Sequence, residues 1–271
     1  MRLGTLWLIA ALVPACGFTA PEPGQEPDPA DPYPGGTGPE PGDLPPPAAR
    51  RCAITDTALR LCLDFEDTKA GDDGSTLGHD AVCTDVTVMT RDQEKAGQLA
   101  ATSRMVVAET ADLDITQNLT VSLWAHPDGL PRDDTAYWAL DNNKQYFVEY
   151  LDNGKFRCGV GTTVVDAALG VQPGNWYHVG CTYDQTRRSL RVYVNGHLAG
   201  CRTLDTPIPT DGGEGLAIGG NIGAGAGGPS FSEPFVGGLD NISVFARTLT
   251  ANELCDAASN SNCWNNCPLS W

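Results

Sequence analysis

The 271-residue chain carries 34 acidic and 17 basic side chains, four histidines and ten cysteines, for a formal net charge of −17. A surface of that sign repels phosphate backbones and anionic headgroups, so nucleic acid is excluded as a partner and cations are favoured. Nucleophilic catalysis by serine or cysteine requires a histidine base held beside the nucleophile, and four histidines make chance pairings possible. The stretch GGNIGAGAGG, residues 219–228, has the glycine content of a phosphate-binding loop. It leads to Pro229 and a strand, with no helix N-terminus to receive an anion, and reads as a flexible surface loop. Near the end, Cys255, Cys263 and Cys267 match no zinc spacing and point instead to disulfide closure of a C-terminal flap.

The compartment follows from the first residues. Arg2 precedes the apolar run 3–13, too short for a permanent membrane helix and the right length for the hydrophobic core of a signal peptide. Val13-Pro14-Ala15-Cys16 resembles the lipobox of bacterial lipoproteins, which implies cleavage after residue 15 and acylation of Cys16. Residues 16–49 then hold eleven prolines and six acids with no lysine or arginine, a composition that cannot bury enough apolar area to order itself and reads as an extended stalk. The expected product is exported and lipid-anchored at the bacterial cell envelope, at the outer membrane or cell surface, touching the membrane through its N-terminal lipid only. In that compartment the other nine cysteines are expected to be mostly bridged, with at least one left over. Cys62 and Cys83 near the domain start, Cys158 and Cys181 in strands, and Cys255 with Cys263 or Cys267 are the candidates.

The elements that must position these groups are strands. Alternating or apolar runs fall at residues 61–65, 119–125, 146–151, 156–160, 176–183, 190–194, 215–218 and 239–245, punctuated by Gly, Asn, Asp and Pro. In SLRVYVNGHLAG, residues 189–200, Leu190, Val192 and Val194 share one strand face, and Asn195-Gly196 suits a tight turn with positive φ. Many short strands without long helices predict an all-β sandwich. The one helix signal is the capping box Thr250-Ala251-Asn252-Glu253.

NLTVSLWAHPD (118–128), GNWYHVGCTYD (174–184), LRVYVNGHLAG (190–200) and GGLDNISVFARTLTANEL (237–254) stand in the order and rough spacing of laminin G-like domains. LCLDFED (61–67) and GHDAV (78–82) extend the likeness, so the chain resembles the concanavalin A-like lectin and glucanase superfamily from about residue 59 to 258. The resemblance implies a two-sheet antiparallel jelly roll over residues 50–258, followed by a Cys-containing tail at 259–271. It also implies one structural calcium between the first strand and the last, with Glu66 and Asp240 at the positions of its ligands. Glucanase relatives carry closely spaced carboxylates on one strand. No such triplet occurs here, Glu149 stands alone in its run, and His178 lies where the family places a structural histidine, so an enzyme is not expected.

The functional expectation is a non-enzymatic, surface-displayed recognition module that binds polysaccharide or an envelope or extracellular protein. The alternative is a structural envelope protein with no soluble ligand, and a glycoside hydrolase ranks below both. Trp138, Tyr146 and Tyr150 are the candidate open-face aromatics, while Trp124 and Trp176 are assigned to the core.

Overall fold

The structure is a computed structural model. It describes residues 52, 55–66, 71–132, 134–168, 170–204, 207–210, 213–225 and 228–263. Cys16 and Cys267 lie outside them. Seventeen strands and one helix are defined among the described residues. The first six strands are β1 (Leu59–Leu63), β2 (Ala81–Thr84), β3 (Thr87–Arg91), β4 (Glu94–Leu99), β5 (Arg104–Val107) and β6 (Leu119–Pro127). Next come β7 (Ala136–Asp141), β8 (Tyr146–Leu151), β9 (Phe156–Val160), β10 (Thr163–Asp166), β11 (Tyr177–Asp184) and β12 (Ser189–Val194). The last are β13 (His197–Thr203), β14 (Leu216–Ile218), β15 (Asn221–Gly225), β16 (Gly228–Ser232), β17 (Gly237–Phe245) and helix α1 (Ala251–Ala257).

The strands form two antiparallel sheets of a jelly-roll sandwich. The first runs β13-β12-β11-β6-β17-β4-β3, with β1 also paired to β17, and the second runs β10-β9-β8-β7-β14-β5-β2. Period-two patterning fills the space between them. Val121, Leu123, Val179, Leu190, Val192 and Val194 come from the first sheet, and Met105, Leu140, Val148, Phe156 and Ile218 from the second. Each such side chain contributes roughly 1.5–3 kcal/mol by leaving water. The hairpin β12–β13 forms as the alternation predicts, turning at Asn195 (φ 50°) and Gly196 (φ 79°).

Three disulfides close within the described residues: Cys52–Cys62, Cys158–Cys181 and Cys255–Cys263. Cys158 and Cys181 belong to different sheets, so their bridge staples the sandwich through its core rather than joining neighbouring strands. Cys201 is also disulfide-bonded. Cys83, expected among the bridged residues, is the free cysteine among the described residues, and Cys62 of β1 pairs instead with Cys52, ten positions before it. Cys255 takes Cys263, the nearer of its two candidates in sequence.

Helix α1 forms where the capping box predicts, with Thr250 accepting from the Glu253 N–H and the Glu253 carboxylate returning to the Thr250 N–H. It lies on the outer face of the first sheet, over a small cluster of Leu59, Tyr193, Phe245, Leu249 and Leu254. Gly180 permits the approach: a Cβ there would meet Leu254 Cδ2 at 2.8 Å. The glycine-rich stretch is not an open loop. Its residues 221–225 pair with 228–232 as the hairpin β15–β16, a correction whose physical basis is that antiparallel register, with Ile222 opposite Phe231, satisfies the glycine-rich backbone.

Candidate functional site

Four residues line up across the outer face of the second sheet. Trp138 on β7 stands opposite Glu149 on β8, Glu149 opposite Arg157 on β9, and Arg157 opposite Asp166 on β10. Side chains alternate along each strand, so this row points away from the core that holds Tyr146, Val148, Phe156, Cys158 and Val165. Register across four strands, not nearness in sequence, assembles it.

The row is electrostatically graded. Arg157 gives Nε to Asp166 Oδ1 at 2.6 Å and Nη2 to Oδ2 at 3.0 Å, while its Nη1 stands 3.6 Å from Glu149 Oε2. Burial pushes the Glu149 carboxyl up to about 7; Arg157 pulls it down, and Glu233, Asp141 and Asp166 add to the rise. The Arg157 and Asp166 side chains are 31 % and 36 % exposed against 9 % for Glu149, so the row runs from an open end to a closed one.

Aromatic surface adjoins the closed end. The Phe147 and Trp138 ring centroids are 4.9 Å apart with planes 38° from parallel. Phe147 lies over Gly159 of β9, where a Cβ would sit 1.9 Å from the ring. Ala136 and Leu151 complete this satellite cluster on the outer face. Trp138 is only 6 % exposed, and its Nε1 has no hydrogen-bond partner among the described residues. A buried donor without an acceptor costs roughly 1–3 kcal/mol.

The other two candidate aromatics belong to the core. Tyr146 and Tyr150 are 1 % and 0 % exposed and donate their hydroxyls to the carbonyls of Leu113 at 3.0 Å and Val171 at 3.1 Å. They are core tyrosines with satisfied polar ends, not open-face rings. Trp138 is on the outer face as expected but buried there, because Phe147 and the segment at Glu233 and Pro234 flank it; the main-chain N–H of Trp138 donates to the Glu233 carbonyl. Trp124, assigned to the core, is buried on the outer face of the first sheet, and Trp176 is half-buried beside His126.

Glu66 and Asp240 have separate partners. Glu66 accepts from the Lys95 N–H at 2.6 Å, and Lys95 Nζ returns to the Glu66 carbonyl at 3.0 Å. Asp240 is fully buried, with Oδ2 2.6 Å from Arg91 Nε and Oδ1 2.7 Å from the Asn241 N–H. It sits at a bulge in β17, where Asn241 takes φ 48° and the register against β6 shifts. Calcium takes six to eight oxygens, whereas no three His, Cys, Asp or Glu side chains converge for a metal among the described residues. Among the described residues the Asp240 carboxylate is met by the Arg91 guanidinium and the Asn241 amide.

A family model described as the concanavalin A-like lectin/glucanases superfamily matches residues 100–255. The chain belongs to this superfamily. No curated protein matches it at a significant level. Among solved structures this superfamily member is similar to domain 4 of AbnA, a GH43 extracellular arabinanase from Geobacillus stearothermophilus, in complex with arabinotriose. That likeness has 20 % identity and a TM-score of 0.56 and covers 74 % of this chain and 98 % of the other. The binding domain of Paraclostridial Mosquitocidal Protein 1 gives 18 % identity and a TM-score of 0.59, covering 74 % and 52 %. The binding domain of botulinum neurotoxin serotype C1 gives 15 % and 0.56, covering 76 % and 52 %. The chain thus spans about half the length of these two toxin domains. Likeness at this level shows the fold, and the similar structures are mostly binding domains.

Proposed function

We propose that the chain is a non-enzymatic recognition module that binds polysaccharide on the outer face of its seven-stranded sheet. The observation that carries this reading is the buried, unpartnered Trp138 Nε1 beside Phe147, at the closed end of the Glu149–Arg157–Asp166 row. Sugar recognition uses such a pairing of aromatic surface with a few fixed polar groups. The arabinotriose held by the arabinanase domain supports it at the level of fold. Hydrolysis with retention needs two carboxyls about 5 Å apart. Glu149 and Asp166 lie two strands apart, roughly 10 Å at the usual strand spacing, with the Arg157 guanidinium bonded into the gap.

Display at a bacterial envelope through a lipid on Cys16 completes the proposal and rests on the lipobox resemblance and the proline-rich stretch. Changing Cys16 to Ser should release the protein from membranes, and full membrane retention of a processed Ser variant would refute the anchor. For the binding reading, the full chain is screened on a polysaccharide array, and hits are repeated with Trp138→Phe, which keeps an aromatic ring but loses the indole N–H and part of the ring face. Loss of binding by at least about fivefold is expected from one buried hydrogen bond of roughly 1 kcal/mol or more. Binding that ignores both Trp138→Phe and Glu149→Gln would move the ligand off this face, and an array without hits would favour the structural alternative.

A further inference from the structure

Two groups in the row have opposite needs. The Trp138 indole N–H is a donor without an acceptor among the described residues. Across the strand pair, Glu149 is a nine-tenths buried acceptor whose ion pair with Arg157 spans 3.6 Å, beyond hydrogen-bond length, because Arg157 directs its short bonds to Asp166. The paired rings of Trp138 and Phe147 add faces whose quadrupole attracts a cation.

Resting on the polysaccharide reading above, we infer that the glycan bound here carries a free amino group. Its ammonium is placed against Glu149 and the aromatic pair, and a neighbouring hydroxyl oxygen accepts from Trp138 Nε1. The same geometry disfavours uronic and sialic acids. A ligand carboxylate would meet Glu149 and Asp166 on a chain of net charge −17. Arg157 in the row is engaged by Asp166, and Arg202 of β13, at the edge of the first sheet, by the Val164 carbonyl at 3.1 Å.

Titration calorimetry on the full chain with three probes tests this: glucosamine oligomers, the same oligomers fully N-acetylated, and oligogalacturonate. A charge-assisted hydrogen bond is worth roughly 1.5–3 kcal/mol, so the amino form should bind at least about tenfold more tightly than the acetylated form, and the uronate should not bind. Glu149→Gln should bring the amino and acetylated forms level. Equal or tighter binding of the acetylated oligomer by the unaltered protein, sensitive to Trp138→Phe, would overturn the amino-sugar inference and leave the polysaccharide reading standing. Preference for the uronate would overturn it likewise. Binding of none of these probes, with other glycans bound at this face, overturns the inference alone; with no glycan bound at all, both fall.

Discussion

Replacing Arg91 with Met should be among the most damaging single changes outside the inter-sheet core. Arg91 is 5 % exposed, gives Nε to Asp240 at 2.6 Å and Nη2 to Glu94 at 2.8 Å, and places its guanidinium carbon 4.6 Å above the Trp124 ring. Met keeps much of the stem packing but strands a fully buried Asp240 carboxylate. Breaking a buried pair from one side costs about 3–5 kcal/mol, and for a domain of this size each kcal/mol moves Tm by roughly 2–4 °C, so a drop of about 6–20 °C is expected. The loss depends on pH with a definite sign. Burial already pushes the Asp240 carboxyl up, and Arg91 pulls against it. Without Arg91 the folded-state pKa rises further above the unfolded one, so the group favours folding below its unfolded pKa and that support is lost as pH climbs. The deficit of Arg91→Met should therefore be larger at pH 8 than at pH 5. In the double variant with Asp240→Asn the fully buried carboxylate is gone, although the partly exposed Glu94 loses its partner, so the cost should fall well below the sum of the single costs. Urea unfolding followed by tryptophan fluorescence, disulfides intact, measures all four corners of the cycle. Additive costs, or an Arg91→Met loss under about 1 kcal/mol, would refute the reasoning. Rescue of Arg91→Met by millimolar calcium would show instead that Asp240 is a metal ligand.

Glu149 sets a second pH dependence. With its folded-state pKa pushed up to about 7 from an ordinary 4.5, its contribution to folding is complete below pH 4.5 and is lost as pH rises through 7. Glu149→Gln should flatten this slope and gain up to about 3 kcal/mol at pH 8 relative to pH 4, read as urea midpoints; parallel pH profiles for the two proteins would contradict it. Thiol labelling of the intact protein should modify Cys83 slowly, since burial pushes its thiol up, and should spare Cys52, Cys62, Cys158, Cys181, Cys201, Cys255 and Cys263. Label on any of those seven would overturn the pairing scheme.

Period-two runs, Asn195-Gly196 and the Thr250 capping box are local signals, and from them the sequence by itself determined β1, β6, β8, β9, β11, β12, β14 and β17, the β12–β13 turn and helix α1, but not β2 to β5, β7, β10, β15 or β16. Order of motifs extended this to the jelly roll. What only the tertiary structure decided has a common cause: alternation separates two faces of a strand but does not say which one the second sheet covers. Tyr146 and Tyr150 share a face with Val148 and went inward, while Trp138 went outward beside Phe147. The lone Glu149 within the run YFVEYL was the one local sign that the other face of β8 had a task, since an acid among five apolar residues must find partners elsewhere. Those partners, Trp138, Arg157 and Asp166, come from register across β7 to β10. Asp240 was visible as an acid in the last strand, but its partner Arg91 lies 149 positions away and reaches it only because β3 and β4 fold onto the edge of β17, where its guanidinium meets the buried carboxylate.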